Sequence, residues 1–275
     1  MGVHNPALDQ ADDVAAAIAR TFIAARHTGS ALTAYPGPIP ADLAAAYHVQ
    51  DLALALDGRA VSGWKVGRIN APDDARLGQN RLAGPIFAAE TVTAAAGELP
   101  AMPVFVGGFA AVEAEFMLHV TPGFAGALPA DDAETLAVID EIWLGIEVAS
   151  SPYPRINADG PTVTASDFGN NAGLVLGPQL DGWAGIDLCA VEVVMEIDGH
   201  EVGRATARTM LDGPLGAVRF LLGHLRARGI ACDAGLWVST GAITGVHQIA
   251  PGSTATATFG SHGTVGCRIA ARQPG

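Results

Sequence analysis

The sequence predicts an α+β fold, helical at its start and strand-rich afterwards, and three patterns carry that expectation. Near the N-terminus Val14, Ile18 and Phe22 recur at four-residue steps, the spacing of an amphipathic helix. From about Pro103 onward the pattern changes to short apolar runs separated by turn residues. Only one later stretch returns to helical spacing, so helices and strands are segregated instead of alternating as β-α-β units.

Taken in order, the first helix has Asp12 or Asp13 as its cap and ends near Gly29. Tyr35 to Pro40, with Pro36, Gly37, Pro38 and Pro40, is a linker. Asp42 opens a second helix that runs to about Leu56 and is closed by Gly58. Gly63-Trp64-Lys65-Val66-Gly67 follows as a short strand bracketed by glycines. Val112 to Val120 and Leu144 to Ala149 are strands. Between them, Asp131 with Glu134 three residues on marks a capped helix leading into Leu136, Ile139 and Ile142. Leu174 to Leu176, Val191 to Ile197, Trp237 to Thr240 and Ala255 to Phe259 are further strands. A helix interrupts them, with Pro214 in its first turn, Leu215, Val218, Leu222 and Leu225 as its apolar stripe, and Gly229 at its end. The chain divides on this basis into a helical N-terminal segment carrying the Lys65 strand, residues 1–98, and a β-rich core, residues 99–275.

Composition excludes several function classes. With 49% hydrophobic and 16% charged residues, the 275-residue chain is no disordered segment. A formal net charge of -13 repels phosphate backbones and anionic lipid, so neither nucleic-acid nor membrane partners are expected. No apolar run approaches the roughly 18 residues of a membrane span. Asp9, Asp12 and Asp13 stand where a secretory leader would carry basic and then apolar residues. Cys189, Cys232 and Cys267 are far apart without a C-x-x-C pair, which fits structural thiols in a reducing cytoplasm. An anionic substrate would need a local positive charge or a bound cation to overcome the acidic surface.

Lys65 is the only lysine; the other fourteen basic residues are arginine. A GC-rich genome replaces surface lysines with arginines. The lysine that survives points to chemistry or tight geometry, because its compact charge can be tuned where arginine's cannot.

Glu113 and Glu115 flank a single alanine on a strand, so both carboxylates lie on one face. Such a pair is either a solvated outer face or a site neutralised by a cation. Glu147 stands alone in the small, apolar Leu144-Gly145-Ile146-Glu147-Val148-Ala149, where a carboxylate is expensive unless paired with an arginine or bound to metal. Three carboxylates from two strands suit a hard ion, Mg2+ or Mn2+, with positions left for a chelating substrate. Asp167-Phe168-Gly169-Asn170-Asn171 is a turn-rich segment that either offers backbone N–H groups and amides to a substrate carboxylate or is a plain loop. Thr240-Gly241 at a strand end either lines a pocket or only turns the chain. No H-x-x-x-H pair, G-x-S-x-G elbow, phosphate loop or dinucleotide glycine fingerprint is present.

These motifs resemble, in order and spacing, the 2-keto-4-pentenoate hydratase and 4-oxalocrotonate decarboxylase family of the fumarylacetoacetase-like superfamily. The likeness spans roughly residues 10 to 270. It rests on Gly63-Trp64-Lys65-Val66-Gly67, Glu113-x-Glu115, Gly145-Ile146-Glu147-Val148, Asp167-x-x-x-Asn171-Ala172, Gly203-Arg204 before Gly213-Pro214-Leu215, and Thr240-Gly241. The resemblance implies a mixed β-barrel or β-roll core behind helices, assembled as a homo-oligomer or beside a hydratase or decarboxylase partner subunit. It implies Glu113, Glu115 and Glu147 as metal ligands, and Lys65 as the catalytic residue reaching a small 2-oxo acid. Asp167, Asn170, Asn171 and Thr240 would bind that substrate. The glutamate in the Ile146-Glu147-Val148 context is similar to the hydratase and decarboxylase branch and not to the C–C hydrolases. The expected activity is hydration of a 2-hydroxy-2,4-dienoate, with decarboxylation as the alternative. Three departures stand out: Leu77 to Pro85 lacks the family's aspartate, the arginine common before the E-x-E strand is absent, and asparagines replace the usual serines near Asn170.

Overall fold

The computed structural model describes residues 6–273, with side chains from residue 10. Helix α1 (Pro6–Thr28) begins ahead of Asp12 and Asp13, so these acids lie within it and do not cap it. Its buried stripe includes Ile18 and Phe22, as the four-residue spacing requires. Helix α2 (Leu43–Asp57) starts where Asp42 accepts a hydrogen bond from the Ala45 N–H at 2.9 Å, and ends at Gly58, whose φ of 68° closes it in the left-handed region. The two helices pack together, and Phe22, Val49 and Ala53 share one apolar cluster with Phe87 and Phe168.

Strands and short helices then follow: β1 (Val61–Arg68), α3 (Asp73–Leu77), β2 (Arg81–Phe87), β3 (Thr91–Thr93), β4 (Ala101–Val104), β5 (Phe109–Val120), α4 (Asp132–Leu136), β6 (Ile139–Ser151), α5 (Pro161–Ser166) and β7 (Asn171–Gln179). The chain continues through β8 (Glu192–Ile197), β9 (His200–Thr206), α6 (Gly213–Ala227), β10 (Leu236–Ser239), β11 (His247–Gln248), β12 (Thr254–Phe259) and β13 (Thr264–Ala271). One mixed sheet has the order β2-β1-β10-β5-β6-β7-β3, with β11 paired to β5; the other has the order β4-β13-β12-β8-β9. The larger sheet is parallel at β1–β10 and β3–β7 and antiparallel elsewhere.

The α+β class expected from the sequence is the one observed. The main core lies between the sheets: Val112, Ala114 and Phe116 of β5 meet Val193, Met195, Ala257 and Phe259 of the smaller sheet. Alternation along β5 therefore commits Glu113 and Glu115 to the opposite face.

Two expectations change. Helix α4 is a single turn; Asp131 caps it by accepting from the Glu134 N–H at 2.8 Å, but Ile139 and Ile142 lie in β6. The long β5–β6 ladder overrides their helical spacing. Strand β2, all of whose residues are buried, contains Gly84 and Pro85, which local propensity disfavours in strands. Gly84 is required there, because a Cβ would fall 2.1 Å from the Phe168 carbonyl oxygen. The three cysteines are free thiols. Among the described residues no helix is long and apolar enough to cross a membrane.

Candidate metal centre

Three strands, β1, β5 and β6, deliver the acidic and basic groups to one place. In the antiparallel β5–β6 ladder Glu113 stands directly opposite Glu147, and Glu115 opposite Gly145. Gly145 makes room for the Met117 side chain, since a Cβ would sit 2.5 Å from Met117 Cγ. Ligand oxygens of Glu113, Glu115 and Glu147 all lie within 4.8 Å of one another. Parallel pairing of β1 with β10 sets Lys65 level with Ser239 on the same face. Lys65 Nζ reaches Glu147 Oε2 at 3.1 Å and donates to Asn170 Oδ1 at 3.2 Å.

All of these groups are withdrawn from bulk water; Glu115 and Glu147 are 0% exposed, and Glu113 and Lys65 are 4% exposed. Burial raises the Glu113 carboxyl to about 7, with Glu147 adding to the rise and Lys65 opposing it. Burial, then the charges of Glu147 and Glu113, drive Glu115 well above the ordinary carboxylate range. For Lys65, burial pulls downward, but the three carboxylates outweigh it and the net shift is upward. The lysine is thereby held as an ammonium.

Supporting hydrogen bonds aim the carboxylates. Ser239 Oγ and the Gly241 N–H, the latter at 2.9 Å, both donate to Glu115 Oε2. Asn171 Nδ2 donates to Glu147 Oε1 at 2.9 Å. Glu115 Oε1 is buried with no hydrogen-bond partner among the described residues. Three carboxylates against one ammonium, with an oxygen unanswered, form a donor set that fits a divalent cation.

The loop before β7 is built as a strained turn. Phe168, Gly169 and Asn170 take φ values of 55°, 61° and 60°, so two non-glycine residues sit in the left-handed region. Asp167 holds this turn from behind and does not face the cavity. Its Oδ1 accepts from Arg26 Nε at 2.6 Å and its Oδ2 from Ser151 Oγ at 2.6 Å. The turn in turn presents Asn170 to Lys65 and to Asn157 Oδ1, the latter at 2.9 Å.

A cavity of about 770 Å3 opens on this centre, lined by Lys65, Glu113, Asn157, Asn170 and Thr240 among others. Of the residues expected to bind substrate, Asn170 and Thr240 line it; Asn171 is directed at Glu147, and Asp167 at Arg26. The Thr240 hydroxyl is itself occupied, donating to the Phe116 carbonyl at 2.9 Å. Sequence reasoning missed Ser239, Asn157, Ser151 and Arg26. Ser239 adjoins the Thr240-Gly241 pair, and the β10–β5 register, which sets it opposite Met117, identifies it as the member facing Glu115.

No family model matches the chain. It is 30% identical over 136 residues to a 4-oxalocrotonate decarboxylase of Pseudomonas putida, a match covering 50% of this chain and 51% of the relative. The chain thus spans about half the length of the curated relatives it matches. The structure of 4-oxalocrotonate decarboxylase from Pseudomonas putida G7, complexed with magnesium and adipate, has a similar fold with a TM-score of 0.77 at 22% identity, covering 94% of this chain and 97% of that one. Fumarylpyruvate hydrolase from Pseudomonas aeruginosa, in complex with Mn2+ and pyruvate, gives a TM-score of 0.56 at 16% identity over 78% of this chain and 91% of that one. Sequence similarity to the 4-oxalocrotonate decarboxylases thus spans half of the chain, and a fold shared with one of them spans nearly all of it.

Proposed function

We propose that the chain is a divalent-metal-dependent lyase acting on a small 2-oxo acid, and that it hydrates a 2-hydroxy-2,4-dienoate (2-keto-4-pentenoate) to a 4-hydroxy-2-oxo acid in aromatic catabolism. The observation that carries this reading is the buried convergence of Glu113, Glu115 and Glu147 around Lys65, with Glu115 Oε1 unpartnered. These carboxylates would hold Mg2+ or Mn2+. A bound ion would supply Lewis-acid stabilisation of the negative charge that develops on the substrate's oxygens. Magnesium and Mn2+ in the two solved structures of this fold support the choice of ion.

Among the described residues Lys65 is the cation that contacts the triad, fixed between Glu147 and Asn170. As an ammonium it donates to the substrate carboxylate or to the developing enolate oxygen, and it returns a proton when the enol becomes the ketone. Asn170 orients that ammonium, while burial of the centre keeps bulk water from screening it. Loss of the enol O–H proton with protonation at C5 leaves a C3=C4 double bond conjugated with the 2-oxo group, and water adds its hydroxyl at C4 and its proton at C3. The protein works in the cytoplasm, and its assembly as a homo-oligomer, or beside a hydratase or decarboxylase partner subunit, belongs to the same reading and rests on the family resemblance.

A second reading is favoured by the name of the matched relatives: decarboxylation of a 4-oxalocrotonate-type diacid. The same enolate stabilisation serves it. Purified protein, stripped of metal and then given Mn2+, should turn over 2-hydroxypenta-2,4-dienoate by hydration; carbon dioxide release from the diacid marks the second reading. Turnover that persists in EDTA would rule out both.

A further inference from the structure

The direction in which Lys65 donates is set by its neighbours. An ammonium spins about its Cε–Nζ bond until an acceptor stops it, and each of its three N–H groups can donate. Among the described residues Asn170 Oδ1, at 3.2 Å, is the oxygen that accepts a hydrogen bond from Lys65, while Glu147 Oε2 lies 3.1 Å from Nζ. The direction left for a substrate therefore depends on where the Asn170 amide points. An asparagine amide ends in a broad sp3–sp2 torsion that its own covalent geometry holds weakly. One anchor at the oxygen lets the amide pivot; a second at the nitrogen fixes its plane. That second anchor is Asn157, whose Oδ1 accepts from Asn170 Nδ2 at 2.9 Å. Asn170 is only 3% exposed, so losing this acceptor leaves a buried donor unsatisfied.

The loop after β6 holds Asn157 in place. Asp159 closes the loop by accepting from the Tyr153 hydroxyl and from Arg155 Nη2, the latter at 2.6 Å. Thr164 Oγ1 of α5 donates to the Ile156 carbonyl at 2.9 Å, which fixes the backbone one residue before Asn157. Asn157 itself is exposed and lines the cavity. A chain of contacts thus runs inward from the cavity wall, from Asn157 to Asn170 to Lys65 to Glu147. Its sense is fixed by chemistry: Lys65 can only donate, so Asn170 turns its oxygen inward and has its NH2 to give Asn157.

We infer that Asn157 is a positioning residue for the reaction: by holding the Asn170 amide, it fixes the direction in which Lys65 presents its free N–H to the substrate. Its hydrogen bond goes to Asn170, and it acts on turnover through that amide. This rests on the role proposed for Lys65 above and adds the residue that aims it.

The single lysine permits a direct test, because 15N-lysine labelling gives one Nζ signal for the whole chain. Asn157→Leu removes the acceptor at nearly constant volume. In the Mg2+-loaded protein it should speed hydrogen exchange at Nζ by about tenfold and lower kcat for hydration of 2-hydroxypenta-2,4-dienoate by about tenfold, the scale of one hydrogen bond to a buried group. KM and Mg2+ affinity should stay within about twofold. Asn157→Asp restores an acceptor at the same place and should recover most of both losses. Loss of loop packing alone would lower the melting temperature and leave the Nζ signal unmoved. Nζ exchange that is unchanged in Asn157→Leu, raised as much in Asn157→Asp, or raised without a fall in kcat overturns the positioning role. A wild type that does not hydrate the dienoate sinks the hydratase reading instead, and Nζ exchange alone then decides whether Asn157 holds Lys65.

Discussion

Glu113 and Glu147 face each other across the β5–β6 ladder, and among the described residues Lys65, 3.1 Å from Glu147, brings positive charge to the pair. Like charges directly opposed on neighbouring strands destabilise a sheet. Here Glu115 adds a third carboxylate behind them, so the metal-free centre holds an electrostatic strain that protons or a cation must relieve.

Glu115→Gln separates these two forms of relief. The metal-free protein should keep its stability, because the amide replaces a carboxyl that burial already pushes toward the neutral form. Mn2+ at about 100 times its wild-type Kd should stabilise the wild type by about 2.7 kcal/mol. The variant should show no such shift, its affinity falling by more than the ~10–100-fold typical of a lost supporting contact. Thermal denaturation with and without Mn2+ reads this directly, and an undiminished metal-induced shift would remove Glu115 from the centre.

The raised Glu113 carboxyl gives the metal-free protein a definite pH dependence. A carboxyl near 7 when folded and near 4.5 when unfolded binds more protons in the folded state between those values. Its contribution is fully present below the unfolded pKa and is lost as pH rises through about 7. The difference is on the order of 3 kcal/mol for this group. Urea denaturation of the metal-free protein should show stability falling from pH 5 to pH 8, whereas Mn2+ affinity should rise over the same interval as protons cease to compete. A metal-free stability that climbs through this range would contradict the assignment.

The acidic half of this centre was legible before the fold was known, and the reason is local. Strand periodicity alone put Glu113 and Glu115 on one face, and the apolar neighbours of Glu147 made a solitary carboxylate conspicuous. The supporting half depends on pairings between distant segments. Ser239 faces Glu115 only because β10 pairs antiparallel with β5 in the register that sets Ser239 opposite Met117, on the face of Glu115. Asp167 read as a substrate contact because its neighbours are polar turn formers, yet Arg26, far away on α1, claims it. Strand β2 was hidden by Gly84 and Pro85, whose propensities oppose a strand, while close contact with the Phe168 turn demands the glycine.

Arg26 and Asp167 form a buried pair that should reveal itself by double substitution. Arg26→Met leaves a carboxylate 1% exposed without its guanidinium, a loss of roughly 3–5 kcal/mol. Adding Asp167→Asn removes the stranded charge and should recover a large part of that loss, because Ser151 still donates at this position. Urea midpoints of the two single variants and the double variant supply the coupling. Additive losses would show that the two side chains do not act as a unit.

Lys65→Arg tests whether position or charge matters at the one lysine. Arginine keeps the positive charge, but its guanidinium is wider than an ammonium and must fit a slot that is 4% exposed, between Glu147 Oε2 and Asn170 Oδ1. Turnover should fall by roughly 100-fold or more, the range expected for removing a positioned proton donor. Mn2+ affinity should change far less, because the carboxylates and their Ser239, Gly241 and Asn171 donors are untouched. Measured kcat and Mn2+ titration on the same preparation therefore divide the outcomes: lost turnover with retained metal assigns Lys65 to the chemistry, and wild-type turnover withdraws it.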